Sequence, residues 1–97
     1  MADDFQFEWD ETNASHIARH KLSPEEAEQA LLNDPFDLSY EIVDGEERWT
    51  SIGHTNNLRV LLLVWTLRAG DVVRVITARE AAKTARRVYL REKGFGL

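Results

Sequence analysis

The chain has 97 residues, 43% of them hydrophobic, with 12 basic and 17 acidic side chains, a formal net charge of −5 and no cysteine. A chain of this length suits one compact unit that buries somewhat over ~60% of its unfolded surface, so the expected organisation is a single domain over residues 1–97. Without thiols there are no disulfides, thiolate metal sites or cysteine nucleophiles, which fits a reducing compartment and makes the cytoplasm the expected location.

The opening stretch MADDFQFEWDET has no basic region followed by an apolar one and does not read as a signal peptide. Within it Phe5, Phe7 and Trp9 alternate as the core side of a short strand. Asp10 is placed to cap a first helix running through His16 to about residue 20. Ser23, Pro24 and Glu26 then supply an N-cap, a proline at the first helical position and the glutamate of a capping box. In this second helix Ala27, Ala30 and Leu31 have helical spacing, and the Asn-Asp-Pro run at 33–35 stops it.

The periodicity then changes. Leu38, Tyr40 and Ile42 alternate and are expected to face inward; a turn rich in Asp, Gly and Glu follows at 44–47, and residues 48–54 form the next strand. The run RVLLLVWTL at 59–67 is apolar on both faces, as a central covered strand should be, and it is far shorter than the roughly 20 residues a membrane span needs. After a turn at 68–71 comes the strand 72–78. The last segment is helical, with an apolar stripe of Ala81, Ala82, Ala85, Val88 and Tyr89 expected to pack on the sheet, while Lys83, Arg86, Arg87 and Arg91 occupy the rest. The predicted fold is α+β in the order β-α-α-β-β-β-β-α, with a mainly antiparallel sheet packed by helices.

Charge is unevenly spread along the chain. Residues 1–58 carry three basic residues against fourteen acidic ones, and residues 59–97 carry nine against three. A basic half can present a phosphate-binding face within an acidic protein, because local potential governs close contacts. Arg48, Thr50, Ile52 and His54 share one face of their strand, and Arg59 shares a face with Leu61, Leu63 and Trp65. Arg79 joins the last strand to the helix, where positions 79, 83, 86 and 87 form a basic ridge. These strand ends and the helix are expected to converge on a phosphate.

Other chemistries find less support. His16 and His20 share a helix face, but Ile17 stands where a zinc-protease motif needs glutamate, so no metal is expected. No nucleophile elbow surrounds Ser15, Ser23, Ser39 or Ser51, and there is no glycine-rich phosphate loop. No cofactor is expected.

Several segments in order carry a further signal: FEWDE at 7–11, ARH at 18–20, SPEEA at 23–27 with NDP after it, GEERWTSIG at 45–53, and RVITAR at 74–79 followed by ARRVY. Together they make the chain resemble the BrnT family of bacterial toxins, which look like compact RelE-type ribonucleases. The resemblance implies a type II toxin that cleaves RNA and blocks translation, neutralised by a BrnA-like antitoxin with a ribbon-helix-helix DNA-binding region. Operator DNA would be met only through that antitoxin. The implied chemistry is metal-independent transesterification by the ribose 2′-OH, which needs proton exchange and cationic stabilisation of the transition state. Arg59 and Arg79 are the candidates for charge stabilisation, and His54 or His20 for proton exchange. Arg48, Lys83 and Arg86 are the candidates for holding phosphates, and Trp49 or Tyr89 for stacking on a base, with core packing the alternative for both aromatics. Glu80, the acid next to Arg79, supports an alternative in which the chain is a weak or inactive enzyme that serves as a binding partner of an antitoxin or regulator.

Overall fold

Two side-chain caps define the first two helices in the computed structural model, which describes residues 5–94. Residues 1–4 and 95–97, and with them the two ends of the expected 1–97 domain, lie outside the described residues. Helix α1, Glu11–Ala18, starts where the Asp10 carboxylate accepts the Thr12 and Asn13 N–H groups, while the Asn13 side chain accepts the Asp10 N–H at 2.8 Å. It ends before residue 20 because Lys21 takes a left-handed conformation (φ 61°) and the Leu22 N–H turns back to the Ile17 carbonyl at 3.2 Å. Helix α2, Pro24–Leu32, carries the predicted box: Ser23 Oγ accepts the Glu26 N–H at 3.2 Å and Glu26 Oε1 accepts the Ser23 N–H at 3.0 Å. Such caps are each worth roughly 0.5–2 kcal/mol, enough to fix where short helices begin.

The strands are β1 (Gln6–Phe7), β2 (Phe36–Val43), β3 (Glu46–His54), β4 (Val60–Arg68) and β5 (Val72–Glu80), followed by helix α3 (Lys83–Glu92). The chain order is thus β1, α1, α2, β2, β3, β4, β5, α3, and the sheet order is β1-β5-β4-β3-β2. Only the short β1·β5 pair is parallel. No helix of the described residues is long and apolar enough to cross a membrane.

Strand β4 sits in the middle and is covered on both sides. Its Leu61 and Leu63 join Val73, Val75 and Ala78 of β5 under Ile17, Leu22, Ala27, Ala30 and Leu31 of the α1–α2 layer. Val60 and Leu62, on the opposite face, pack with Ile52 of β3 against Ala85, Tyr89 and Leu90 of α3. The helices therefore lie on both faces of the sheet.

Several inward assignments need correction. Leu38, Tyr40 and Ile42 are 43%, 50% and 63% exposed. Their alternation is that of a strand, but β2 is a sheet edge interrupted by a bulge between Asp37 and Ser39. Ala81, just before α3, and Ala85 on it are half-buried and Tyr89 is buried, while Ala82 and Val88, expected in the same stripe, are exposed. Of the N-terminal aromatics, Phe7 and Trp9 are half-buried against the α1–α2 core and Phe5 is half exposed.

Packing of α2 on β3 is a backbone contact. A Cβ placed on Gly53 would lie 1.9 Å from the Ala30 carbonyl oxygen, so the helix approaches the strand more closely than any side chain permits. Gly53→Ala is therefore expected to lower the unfolding free energy by about 1–3 kcal/mol, the usual cost of overpacking, read as a lower urea midpoint. A midpoint equal to that of the parent protein would mean that α2 moves away at no cost.

Candidate functional site at one end of the sheet

Strand β3 ends at His54, β4 begins at Val60 and β5 ends at Glu80, so their termini gather at one end of the sheet. The β3–β4 connection is tight. Thr55, almost wholly buried, accepts the Arg59 N–H on its Oγ1 at 3.0 Å, and its own N–H reaches the Arg59 carbonyl at 2.8 Å. Strand alternation then sorts the residues around this end onto two faces.

On the α3 face, His54 pairs across to Val60, and one rung further Ile52, Leu62 and Arg79 form a cross-strand row. His54 Nδ1 lies 2.7 Å from the Tyr89 hydroxyl, which is also 3.4 Å from the carbonyl oxygens of Asn33 and Asp34. The Asn33 amide holds the His54 carbonyl at 3.0 Å and the Asn56 side chain at 2.9 Å. The Tyr89 ring is fully buried, and burial pushes its hydroxyl above the usual phenol range, with the Asp34 charge adding to the effect. It therefore stays protonated at neutral pH. A phenol that gives its proton to a backbone carbonyl accepts from Nδ1–H, the tautomer with its lone pair on Nε2; one that gives its proton to Nδ1 belongs to the tautomer with Nε2–H, a hydrogen-bond donor. The first tautomer suits a base at Nε2. Beside the pair is a cleft of about 100 Å³ lined by His54, Leu58, Val60, Arg86, Tyr89 and Leu90. Lys83, Arg86, Arg87 and Arg91 are exposed on α3, and Arg79 is exposed at the end of β5.

Arg59 belongs to the other face. Its Nη1 donates to Glu26 Oε2 at 2.7 Å and to the Lys21 carbonyl at 3.4 Å, and its Nη2 is 3.7 Å from Glu80. Glu80 pairs with Leu61 and Arg79 with Leu62, so the two adjacent residues point to opposite faces. The acid at 80 thus faces Arg59 rather than Arg79. His20 is exposed at the α1–α2 turn with its ring centroid 5.9 Å from that of His16.

The site residues expected from sequence therefore separate. His54, Tyr89 and Arg86 meet at one cleft, with Arg79 and Lys83 on the same side of the molecule; Arg59 and His20 belong to the α1–α2 side. Arg48 shares the His54 face of β3, but six residues along a strand is roughly 20 Å, and it is paired with Glu46 at 2.9 Å. Trp49 stacks on Trp65 at 4.8 Å and contacts Tyr40 at 5.3 Å, on the face away from α3. The enclosed Tyr89 ring offers no surface for base stacking and enters the site through its hydroxyl. Sequence reading missed Asn33 and Asp34, whose part in the site is made by backbone carbonyls. It also missed Glu26 as the partner of Arg59, because its capping role already explained it. Among the described residues no group of three His, Asp or Glu side chains is placed to hold a metal ion.

A family model described as "Ribonuclease toxin, BrnT, of type II toxin-antitoxin system" matches residues 9–84, most of the chain. No curated protein matches the sequence significantly.

The Glu26 contacts have a consequence for stability. The Ser23 N–H, and after it Arg59, hold the Glu26 carboxyl below its ordinary value of 4.5. A carboxylate with a depressed folded pKa contributes stability above its unfolded pKa and loses it as pH falls through the folded one. The urea midpoint should drop on acidification below about pH 4.5, and Glu26→Gln should flatten part of that drop while lowering the midpoint at pH 7. Parallel midpoint curves for the two proteins would show that Glu26 contributes nothing to acid sensitivity.

Proposed function

Because the chain belongs to the BrnT family of type II toxin-antitoxin ribonuclease toxins, we propose that it is a metal-independent endoribonuclease working at the His54 cleft. The observation that carries this reading is the contact of His54 with the buried Tyr89 hydroxyl, beside Arg86 on the basic α3 face. In the proposed reaction His54 Nε2 takes the proton of a ribose 2′-OH, whose oxygen attacks the adjacent phosphorus. The bond to the 5′-oxygen breaks, leaving a 2′,3′-cyclic phosphate and a 5′-alkoxide that takes a proton from water to become the 5′-hydroxyl. Arg86 and Arg79 offset the charge that builds on the phosphoryl oxygens, and Lys83 holds a neighbouring phosphate. Arg59, neutralised by two carboxylates, holds the α1–α2 turn against the strand ends. The RelE-like likeness, the BrnA-like antitoxin with its ribbon-helix-helix region and the cytoplasmic location belong to the same reading.

The clustering of Glu26 and Glu80 around Arg59 favours one second reading, a protein that binds RNA or its antitoxin without cleaving. Purified protein and RNA in EDTA separate the two. His54→Ala should slow cleavage by about 10²–10⁴-fold, the usual contribution of a general acid or base, and Arg86→Ala or Arg79→Ala by about 10²–10³-fold. Arg59→Ala should act mainly on stability. Cleavage by His54→Ala at the parent rate would overturn the site, and salt-sensitive RNA binding without cleavage by the folded parent protein would establish the second reading.

A further inference from the structure

The α1–α2 face of the sheet is only partly covered by its helices. Beyond them runs a cross-strand row of Tyr40, Trp49 and Trp65, continued by Val75 beneath α1, and next to it the row Leu67, Val73 and Phe7. Tyr40 is 50%, Leu67 40% and Phe5 50% exposed. Between the N-terminal strand and the end of α2, Trp65 and the second row form with Phe5, Leu31 and Pro35 an apolar groove of about 340 Å³, within the range of ligand-binding pockets. Contiguous exposed apolar surface of this kind marks an interaction site.

Charge identifies the occupant. The two charged residues lining the groove are both acids, Asp37 and Asp71. Glu47 accepts from the Tyr40 hydroxyl of the first row at 2.6 Å, and on the same side of the sheet Glu28 accepts from the indole of Trp9, which packs on the α1–α2 core, at 2.8 Å. Arg68 and Arg74 alternate with the groove residues Leu67 and Val73 along their strands and so point to the opposite face. Such a surface repels nucleic-acid phosphates. A second copy meeting it in a two-fold arrangement would also place like charges together.

We propose that this groove docks a segment of the partner protein whose apolar side chains are flanked by lysine or arginine, so that partner and RNA occupy opposite faces of the sheet. The inference rests on the toxin-antitoxin reading, which supplies the partner. The probe is the purified antitoxin encoded beside this chain, titrated calorimetrically at two salt concentrations against Leu67→Lys, Asp71→Asn, Arg86→Ala and the parent, each checked for folding by circular dichroism. Leu67→Lys should weaken binding at least tenfold. Asp71→Asn should weaken it less and reduce its salt dependence, and Arg86→Ala should leave it within twofold. Parent affinity in Leu67→Lys, loss of binding in Arg86→Ala, or no binding by the parent overturns the proposal. So does a dimer of the chain alone that Leu67→Lys dissolves. RNA cleavage is measured in parallel: Leu67→Lys should cleave like the parent, and absence of cleavage with groove-dependent binding would sink the ribonuclease reading and leave the docking surface standing.

Discussion

Burial of β4 on both faces is the constraint from which the remaining architecture follows. A strand with Leu61 and Leu63 on one side and Val60 and Leu62 on the other exposes a large apolar area unless both sides are covered. The α1–α2 pair covers one and α3 the other. Once α3 crosses to the second face, its cationic side chains are carried to the side of the sheet that holds His54. The acids are less segregated: Glu25, Glu26 and Glu28 lie on α2, but Glu46 meets Arg48 on the His54 face of β3 and Asp34 meets Lys93 at the end of α3. The cations of α3 gather on one face all the same, and local potential rather than net charge is the relevant quantity there.

Strand parity does the same work at finer scale. Arg79 and Glu80 are neighbours in sequence and look mutually cancelling, yet a period of two sends one to the α3 face and the other to Arg59. The guanidinium of Arg59 is consequently neutralised by Glu26 and Glu80, while that of Arg79 stays on the basic side. Glu26 serves two ends at once. Its capping bond to Ser23 starts α2, and its second oxygen anchors Arg59 at the start of β4, linking helix placement to the strand ends.

What was legible in the sequence was mostly local. The caps at Asp10 and Ser23, the stop at 33–35 and the two-sided apolar run of β4 involve residues close in sequence, whose geometry is set by the backbone itself. What escaped was non-local. Alternation in Leu38, Tyr40 and Ile42 announces a strand, but only sheet order reveals that β2 is an edge on which these side chains stay exposed. That Arg59 and Arg79 fall on opposite faces follows from the pairing register, which a period of two within one strand does not contain. The partnership of His54 with Tyr89 joins residues 35 apart in sequence, and the Tyr89 hydroxyl is further positioned by carbonyls that carry no side-chain signature.

The segment between α2 and β2 connects the two faces physically. Leu31 and Pro35 line the apolar groove, while between them Asn33 and Asp34 turn their carbonyl oxygens to the Tyr89 hydroxyl. Asn33 also grips the His54 carbonyl through its amide, and Asp34, in a left-handed conformation (φ 50°), receives Lys93 from the end of α3 at 3.2 Å. Five residues therefore border the groove on one side and set the hydrogen-bonding environment of the imidazole on the other. Hydrogen bonds weaken steeply with small changes in distance and angle, and the 3.4 Å contacts at Tyr89 are already at the long end of the range. The tyrosine hydroxyl has carbonyl oxygens as well as the imidazole within reach, and the segment that supplies those carbonyls is the one that borders the groove.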